Sequence, residues 1–259
     1  MSDVPAEFVA AAHEAAALAA AETRALFRSP LLVEAKGDAS PVTEADRAAE
    51  RALRRFLADR FPQHGILGEE YGAERADAEW LWVLDPIDGT RAFLTGRPLW
   101  GTLIGLMHRG APVLGLLDQP VLAERWLGVA GQGTSFNGAP VRARRCATLA
   151  EAEFGCTSPD IFSPATMPRF DRVRRAARRV SWGGDCYLYG LVALGLVDLV
   201  VEDTLKPWDW AALAPILEGA GGRMTDWAGN PLRLGTARGD VVALGDPSLL
   251  PEVVAALAA

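Results

Sequence analysis

Cysteine occurs only three times in this 259-residue chain, as Cys146, Cys156 and Cys186. The count is odd and no two of them form a close ligand pair. Neither a disulfide framework nor a zinc site is therefore expected, and the usage fits a reducing compartment. Histidine is equally sparse: His13, His64 and His108 stand far apart and none falls within an acidic motif. That counts against a histidine nucleophile or a histidine-rich metal site. Positive charge is in deficit, with 26 basic against 33 acidic side chains and a formal charge of −7. General nucleic-acid binding is not expected, and an anionic ligand would have to be attracted by local chemistry against the global field. Long apolar runs are missing too. Glu7, His13, Glu14 and Glu22 interrupt the alanine-rich opening stretch, which has no basic lead, so neither a membrane span nor an export signal is expected and the setting reads as cytoplasmic. No internal repeat or low-complexity linker stands out.

What is present is an ordinary globular composition, 50% hydrophobic and 23% charged, in a chain long enough for a large core in one or two closely joined domains. Periodicity predicts a core-facing helix over residues 5–28 and a second from Thr43 to Arg60. Strands are expected near 65–69, 80–85, 99–108, 112–118 and 122–130, with a hairpin turn at His108 to Pro112, giving a mostly antiparallel sheet. Strand and helix then alternate: strand 153–157, helix 164–177, strand 178–182, helix 185–195, strand 197–202, one helix from Pro207 to Gly219, and a final helix near 247–258. This order reads as an α/β (α+β layered) architecture, with a first domain over 1–145, a second over 146–259, and a cleft between them.

Asp85-Pro86-Ile87-Asp88-Gly89-Thr90 is the most informative stretch. It sets two carboxylates, a glycine and a hydroxyl where the apolar run Trp80-Leu81-Trp82-Val83-Leu84 stops. Pro86 biases Asp85 towards an extended backbone, which leaves its carboxylate at the exit of a buried strand. If a helix starts near Gly89, the amides of Gly89 and Thr90 offer an anion site. A phosphate beside carboxylates is repelled unless a hard cation lies between, and oxygen donors of this kind suit Mg²⁺. An isolated D-x-x-D is more simply a helix cap beside a strand-end aspartate. Here Glu69 follows the short apolar run Ile66-Leu67, and Asp209 lies in the first turn of the segment opened by Pro207. Asp209 alone would be an ordinary first-turn acid, but four such carboxylates make two shared metal ions the sharper reading.

At these residues the chain resembles the inositol monophosphatase family of Mg²⁺-dependent phosphatases. The likeness covers Ser40-Pro41-Val42-Thr43-Glu44-Ala45-Asp46, Gly68-Glu69-Glu70, Asp85 to Thr90, Trp208-Asp209-Trp210-Ala211-Ala212 and Gly219-Ala220-Gly221-Gly222. The resemblance implies that family's alternating helix and sheet sandwich. It implies metal binding by Glu69, Asp85, the carbonyl of Ile87, Asp88 and Asp209, with Asp46, Thr90 and Glu69 as the catalytic residues and Thr90 and Asp46 holding the attacking water. Such a water is acidified by the metal and needs no covalent phospho-enzyme. Glu70 would touch a weaker metal through water, and Lys36 could reach the phosphate, although a solvated glutamate and a surface lysine are the simpler readings. A homodimer is suggested by the resemblance alone.

Within the family, the stretches Arg91 to Ile104, Trp182 to Tyr187 and Val201 to Asp209 look like the histidinol-phosphatase branch. The substrate residues implied are Asp88, Gly89, Thr90, Asp185, Glu202 and Asp209. Histidinol carries an ammonium and an imidazole, which two carboxylates beside the leaving group would complement; a neutral polyol needs no such pair. In the inositol phosphatases the position matching Asp185 is small and apolar, so Asp185 discriminates, although it could equally be a helix N-cap after Gly183-Gly184. The expected reaction is hydrolysis of L-histidinol phosphate, a small phosphate ester, in histidine biosynthesis. Inositol-1-phosphate or broad sugar-phosphate hydrolysis is the alternative, and a non-catalytic regulator fits the intact carboxylate set less well. The basic stretch Arg169, Arg172, Arg174, Arg175, Arg178 and Arg179 reads as a solvated helix face, with a subunit contact as another possibility.

Overall fold

The computed structural model describes residues 4–30, 33–35, 41–235 and 238–259. Lys36 and Ser40 lie outside the described residues, so the role expected of Lys36 finds no geometry here. Helix α1 (Ala6–Leu26) buries Ala11, Ala12, Ala15, Ala16 and Ala19, and these small side chains let it approach its neighbours closely. After a two-stranded ribbon of β1 (Val33–Ala35) and β2 (Pro41–Thr43) comes α2 (Glu44–Arg60). Thr43 caps α2 by accepting from the amides of Ala45 and Asp46, and the Asp46 carboxylate returns to the Thr43 amide at 2.8 Å and hydroxyl at 2.6 Å. This reciprocal arrangement satisfies donors that a helix start leaves open.

An eight-stranded sheet follows. It is built from β3 (Gly65–Gly68), β4 (Gly72–Glu74), β5 (Trp80–Asp88), β6 (Gly101–His108), β7 (Ala111–Gln119), β8 (Glu124–Val129), β9 (Gly133–Phe136) and β10 (Ala139–Val141), with α3 (Thr90–Leu94) between β5 and β6. Every neighbouring pair is antiparallel except β3 and β5. The run Trp80 to Leu84 is apolar without alternation because both faces are covered. Trp82 and Leu84 pack with α1 and α2, while Leu81 and Val83 pack on the opposite side.

The second sheet has five strands in the order β12 (Arg179–Trp182), β11 (Glu153–Cys156), β13 (Leu199–Glu202), β15 (Val241–Leu244), β14 (Arg223–Thr225). The first three are parallel, as the alternation of strand and helix predicts; β15 is antiparallel to both its neighbours. Helices α5 (Asp185–Ala193), α6 (Pro207–Trp210) and α7 (Leu213–Gly219) fill the space between the sheets, and α4 (Met167–Ala176) and α8 (Leu250–Ala258) cover the far face. The layers thus run helix, sheet, helix, sheet, helix. No described helix is long and apolar enough to cross a membrane.

Three glycines set how closely the middle layer sits. Gly105, Gly115 and Gly128 are register partners across β6, β7 and β8. A Cβ on Gly115 would fall 1.7 Å from the Ala212 carbonyl oxygen, and one on Gly128 2.4 Å from that of Pro215. The α6–α7 backbone therefore rests directly on the sheet, which carries Asp209 up to the end of β5.

The structure departs from the sequence reading in places. The single helix expected over Pro207 to Gly219 is two, because Pro215 has no amide to give the Ala211 carbonyl one turn back and its ring would collide there. Strands β4, β9, β10, β14 and β15 were not expected; at three or four residues each they carry too little pattern. Nor is the basic stretch only a solvated face. Arg169 and Arg172 donate to the Leu257 and Ala256 carbonyls at 2.7 Å, closing the end of α8, while Arg174 and Arg175 pair with Asp171 and Arg179 with Glu153.

Candidate active site

The apolar strand β5 ends in a kink that turns carboxylates outward. Its pairing with β6 shifts register between Asp85 and Asp88, where Pro86 offers no amide to the ladder. The Thr102 hydroxyl donates to the Pro86 carbonyl at 2.8 Å, and Asp85 Oδ1 accepts the Ile87 amide at 3.0 Å. Gly89 then turns the chain into α3 with φ +88°, a conformation that favours glycine. Asp88 does not cap the helix that follows it. Its Oδ1 accepts the amide of Cys186 at 2.8 Å, tying the first turn of α5 to the end of β5 across the cleft.

Asp209, at the start of α6, accepts the Lys206 amide at 2.6 Å. One carboxylate oxygen from each of Asp85, Asp88 and Asp209 lies within 4.8 Å of the others. Glu69 follows β3, its amide donating to Leu84 O at 3.2 Å. It lines the same cavity of about 210 Å³ as those three aspartates, Ile87, Gly89, Thr90, Asp185 and Glu202. Halves of the chain far apart in sequence thus supply one cleft.

The electrostatics are those of crowded, buried acids. Burial, and then the charges of Glu69, Asp88, Asp209 and Asp46, push the Asp85 carboxyl well above its ordinary value. Burial, with Asp185 and Asp209 adding, does the same to Asp88. Asp209 is pushed up to about 7, chiefly by burial. Among the described residues, no lysine or arginine forms an ion pair with Asp85, Asp88, Asp185, Glu202 or Asp209. Carboxylates crowded in this way, with basic side chains acting on them only at a distance, are relieved by taking up protons or by holding cations. An all-oxygen set of this density fits a hard divalent cation such as Mg²⁺.

Asp185 opens α5 with φ +44°, a left-handed conformation that aspartate tolerates better than most residues. It is not a cap; the N-cap position belongs to Gly184. Its side chain lies over the turn at Gly89, since a Cβ there would fall 3.1 Å from Asp185 Cγ. Burial and then the Glu202 charge raise Asp185 to about 7, against the opposing pull of Arg97 and Arg91. Glu202 forms a buried wall: Oε1 accepts the Thr157 amide at 2.6 Å and Oε2 the Tyr189 hydroxyl at 2.8 Å.

Among the described residues no hydrogen bond joins Asp46 to Thr90 directly. The Thr90 hydroxyl donates to Ile87 O at 3.2 Å, while one Asp46 oxygen is occupied by Thr43 and the other is buried without a partner. The Asp46 charge still adds to the upward shift of Asp85, while Asp46 itself is raised chiefly by burial, with the Glu69 charge adding. Glu70 is half-buried beside Glu69. Sequence reasoning missed Thr157, Tyr189 and Cys186 as cavity walls. Tyr189 carried a signal, because it lies one helical turn beyond Asp185 and so on the same face.

The profile described as "Inositol monophosphatase family" matches residues 5–258. The "Bifunctional phosphatase IMPL2, chloroplastic" of Arabidopsis thaliana is 46% identical over 232 residues, covering 88% of this chain and 67% of that protein. A histidinol-phosphatase of Chlorobaculum parvum is 38% identical over 203 residues, 78% of each chain. The solved structure of an inositol monophosphatase from Zymomonas mobilis is similar with a TM-score of 0.90 and 48% identity over 98% of both chains.

Proposed function

The chain belongs to the inositol monophosphatase family of phosphatases, and from that premise we propose that it hydrolyses a small cationic phosphate monoester, L-histidinol phosphate, to L-histidinol and phosphate. Mg²⁺ as the cation, histidine biosynthesis as the setting, a cytoplasmic location and a homodimer belong to the same reading. Glu69, Asp85, Asp88, Asp209 and the Ile87 carbonyl would hold the cations. When bound, Mg²⁺ supplies Lewis acidity towards the phosphoryl oxygens and acidifies water.

The remaining steps fall to the protein. Gly89 and Thr90 present backbone amides and a hydroxyl where the phosphoryl group must sit. Thr90 and Asp46 take the proton-handling roles; because Thr90 is hydrogen-bonded to Ile87 O, its hydroxyl must turn to meet the incoming water. Asp88 keeps the first turn of α5, and with it Asp185, registered against the phosphate end.

The observation that carries the substrate reading is the Asp185 carboxylate beside Gly89. A negative group at the leaving-group side favours an ester whose alcohol is positively charged over a neutral ring, to which it offers hydrogen bonds but no charge complement. The name borne by the Chlorobaculum relative supports this choice. Hydrolysis of inositol 1-phosphate or of several sugar phosphates is the second reading, favoured by the description of the Zymomonas structure. Phosphate release should be measured from L-histidinol phosphate, inositol 1-phosphate and 3′-phosphoadenosine 5′-phosphate under one set of conditions. The expected result is a kcat/KM for histidinol phosphate at least about tenfold above the others, the discrimination a single well-placed charge contact supplies. No preference for histidinol phosphate would overturn the assignment.

A further inference from the structure

Glu50 points into neither the cleft nor solvent. Its side chain is fully buried on the inner face of α2, one helical turn beyond Asp46. Oε2 accepts the backbone amide of Glu70 at 2.7 Å, and Oε1 accepts that of Tyr71 at 3.2 Å together with Arg54 Nε at 2.7 Å. Arg54, on the same face of α2, reaches on to Glu74 Oε1 at 3.0 Å and to the Gly72 carbonyl. The turn between β3 and β4 is thereby gripped along its length by two side chains of one helix.

We propose that Glu50 is a positioning residue whose task is to fix Glu69 at the cation site, an inference that rests on the metal-dependent reading above. Both peptide units that flank Glu69 are anchored. The one before it donates from the Glu69 amide to Leu84 O, in the strand that carries Asp85. The one after it donates from the Glu70 amide to Glu50. With both units held, the direction in which the Glu69 side chain leaves the backbone is set before any cation arrives. The residue before it is shaped to the same purpose. Gly68 does not have a positive φ, so it is not required for backbone conformation; a Cβ there would fall 2.1 Å from Glu50 Oε1. Glycine is needed so that the carboxylate can reach past the strand to the amides beyond.

A buried carboxylate is a costly way to hold a turn if stability is the only requirement, since its desolvation must be offset by several hydrogen bonds. What it provides is directional: charge-assisted bonds to two consecutive amides leave the turn one conformation. Partners that orient a ligand without touching the metal characteristically change metal affinity when removed. They differ in this from residues that only support the fold, whose loss lowers stability and leaves the affinity of the folded fraction unchanged.

The test uses metal-stripped wild type and Glu50→Gln. The substituted amide keeps the volume of the side chain but turns an NH₂ group towards a donor. Two quantities are read on folded protein: the Mg²⁺ dissociation constant by titration calorimetry, and backbone hydrogen exchange over 68–72 without metal. The expected result is a dissociation constant raised roughly ten- to a hundredfold, faster exchange confined to that turn, and a fall in turnover recovered by raising Mg²⁺. Glu50→Asp, which retains the charge beside Arg54 but is one methylene short of the amides, is expected to shift both readouts the same way and serves if the glutamine variant does not fold. Wild-type affinity and wild-type exchange in either folded variant would overturn the inference. If wild type itself binds no Mg²⁺, the metal-dependent reading falls and takes the role of Glu50 with it, an outcome distinct from normal binding by both wild type and variant.

Discussion

Asp88 combines two duties that a single substitution separates. Its Oδ1 holds the Cys186 amide, a bond that asparagine can still accept, while its negative charge is what a cation would need. Asp88→Asn is therefore expected to keep the fold and lower turnover by at least about a hundredfold. Removing one of several crowded charges should also leave the metal-free protein no less heat-stable. Phosphate release and a thermal melt check both, and retained turnover would contradict the metal assignment. Asp185→Asn addresses substrate choice instead. It is expected to lower kcat/KM for histidinol phosphate about tenfold and to leave that for inositol 1-phosphate nearly unchanged. At this scale the sequence was informative where residues carry chemistry at a strand exit or helix start: Glu69, Asp85, Asp88 and Asp209 announce themselves by position. Glu50 did not. A glutamate in the middle of a helix rich in charge looks solvated until the turn that packs over it is known.

The elements converge because of what they lack as much as what they contain. Gly115 gives the Ala212 backbone between α6 and α7 room to rest on the sheet, so Gly115→Ala is expected to cost about 1–3 kcal/mol or more by overpacking and, by shifting the segment that carries Asp209, to weaken Mg²⁺ binding as well. Denaturant melts and a Mg²⁺ titration on the same variant test the linkage; loss of stability with unchanged metal affinity would show that the contact supports only the fold. Thr43→Ala is expected to cost about 1 kcal/mol through the lost cap of α2, measured in the same way. Long elements such as α1, α2 and β5 to β8 were legible because several turns or alternations repeat the signal. Short strands such as β9, β14 and β15 were not, since their pairing is fixed by what lies beside them in the layers. The break between α6 and α7 was written in Pro215 and outweighed by the apolar pattern around it.

Across the whole molecule, the two layered halves meet at a set of acids that neither could gather alone. Asp185 and Asp209 rise from 3.8 to about 7 on folding, with burial the leading cause in both. For a carboxyl raised in the folded state, the stabilising contribution is complete below its unfolded value and lost as pH climbs through the folded one. The metal-free protein is thus expected to lose heat stability between about pH 4 and pH 7 from these groups. Cation binding requires the ionised forms, so Mg²⁺ should stabilise little near pH 5 and progressively more towards pH 8. Thermal melts with and without Mg²⁺ across that range measure the difference; a gap that does not widen with pH would contradict the picture of coupled acids.

The convergence of acidic side chains on divalent cations is tested most directly by stripping the protein with a chelator, removing the chelator, and following phosphate release from L-histidinol phosphate as Mg²⁺ is added back. The account predicts no hydrolysis at the start and a saturable return of activity. Hydrolysis that persists undiminished through complete chelation would contradict it.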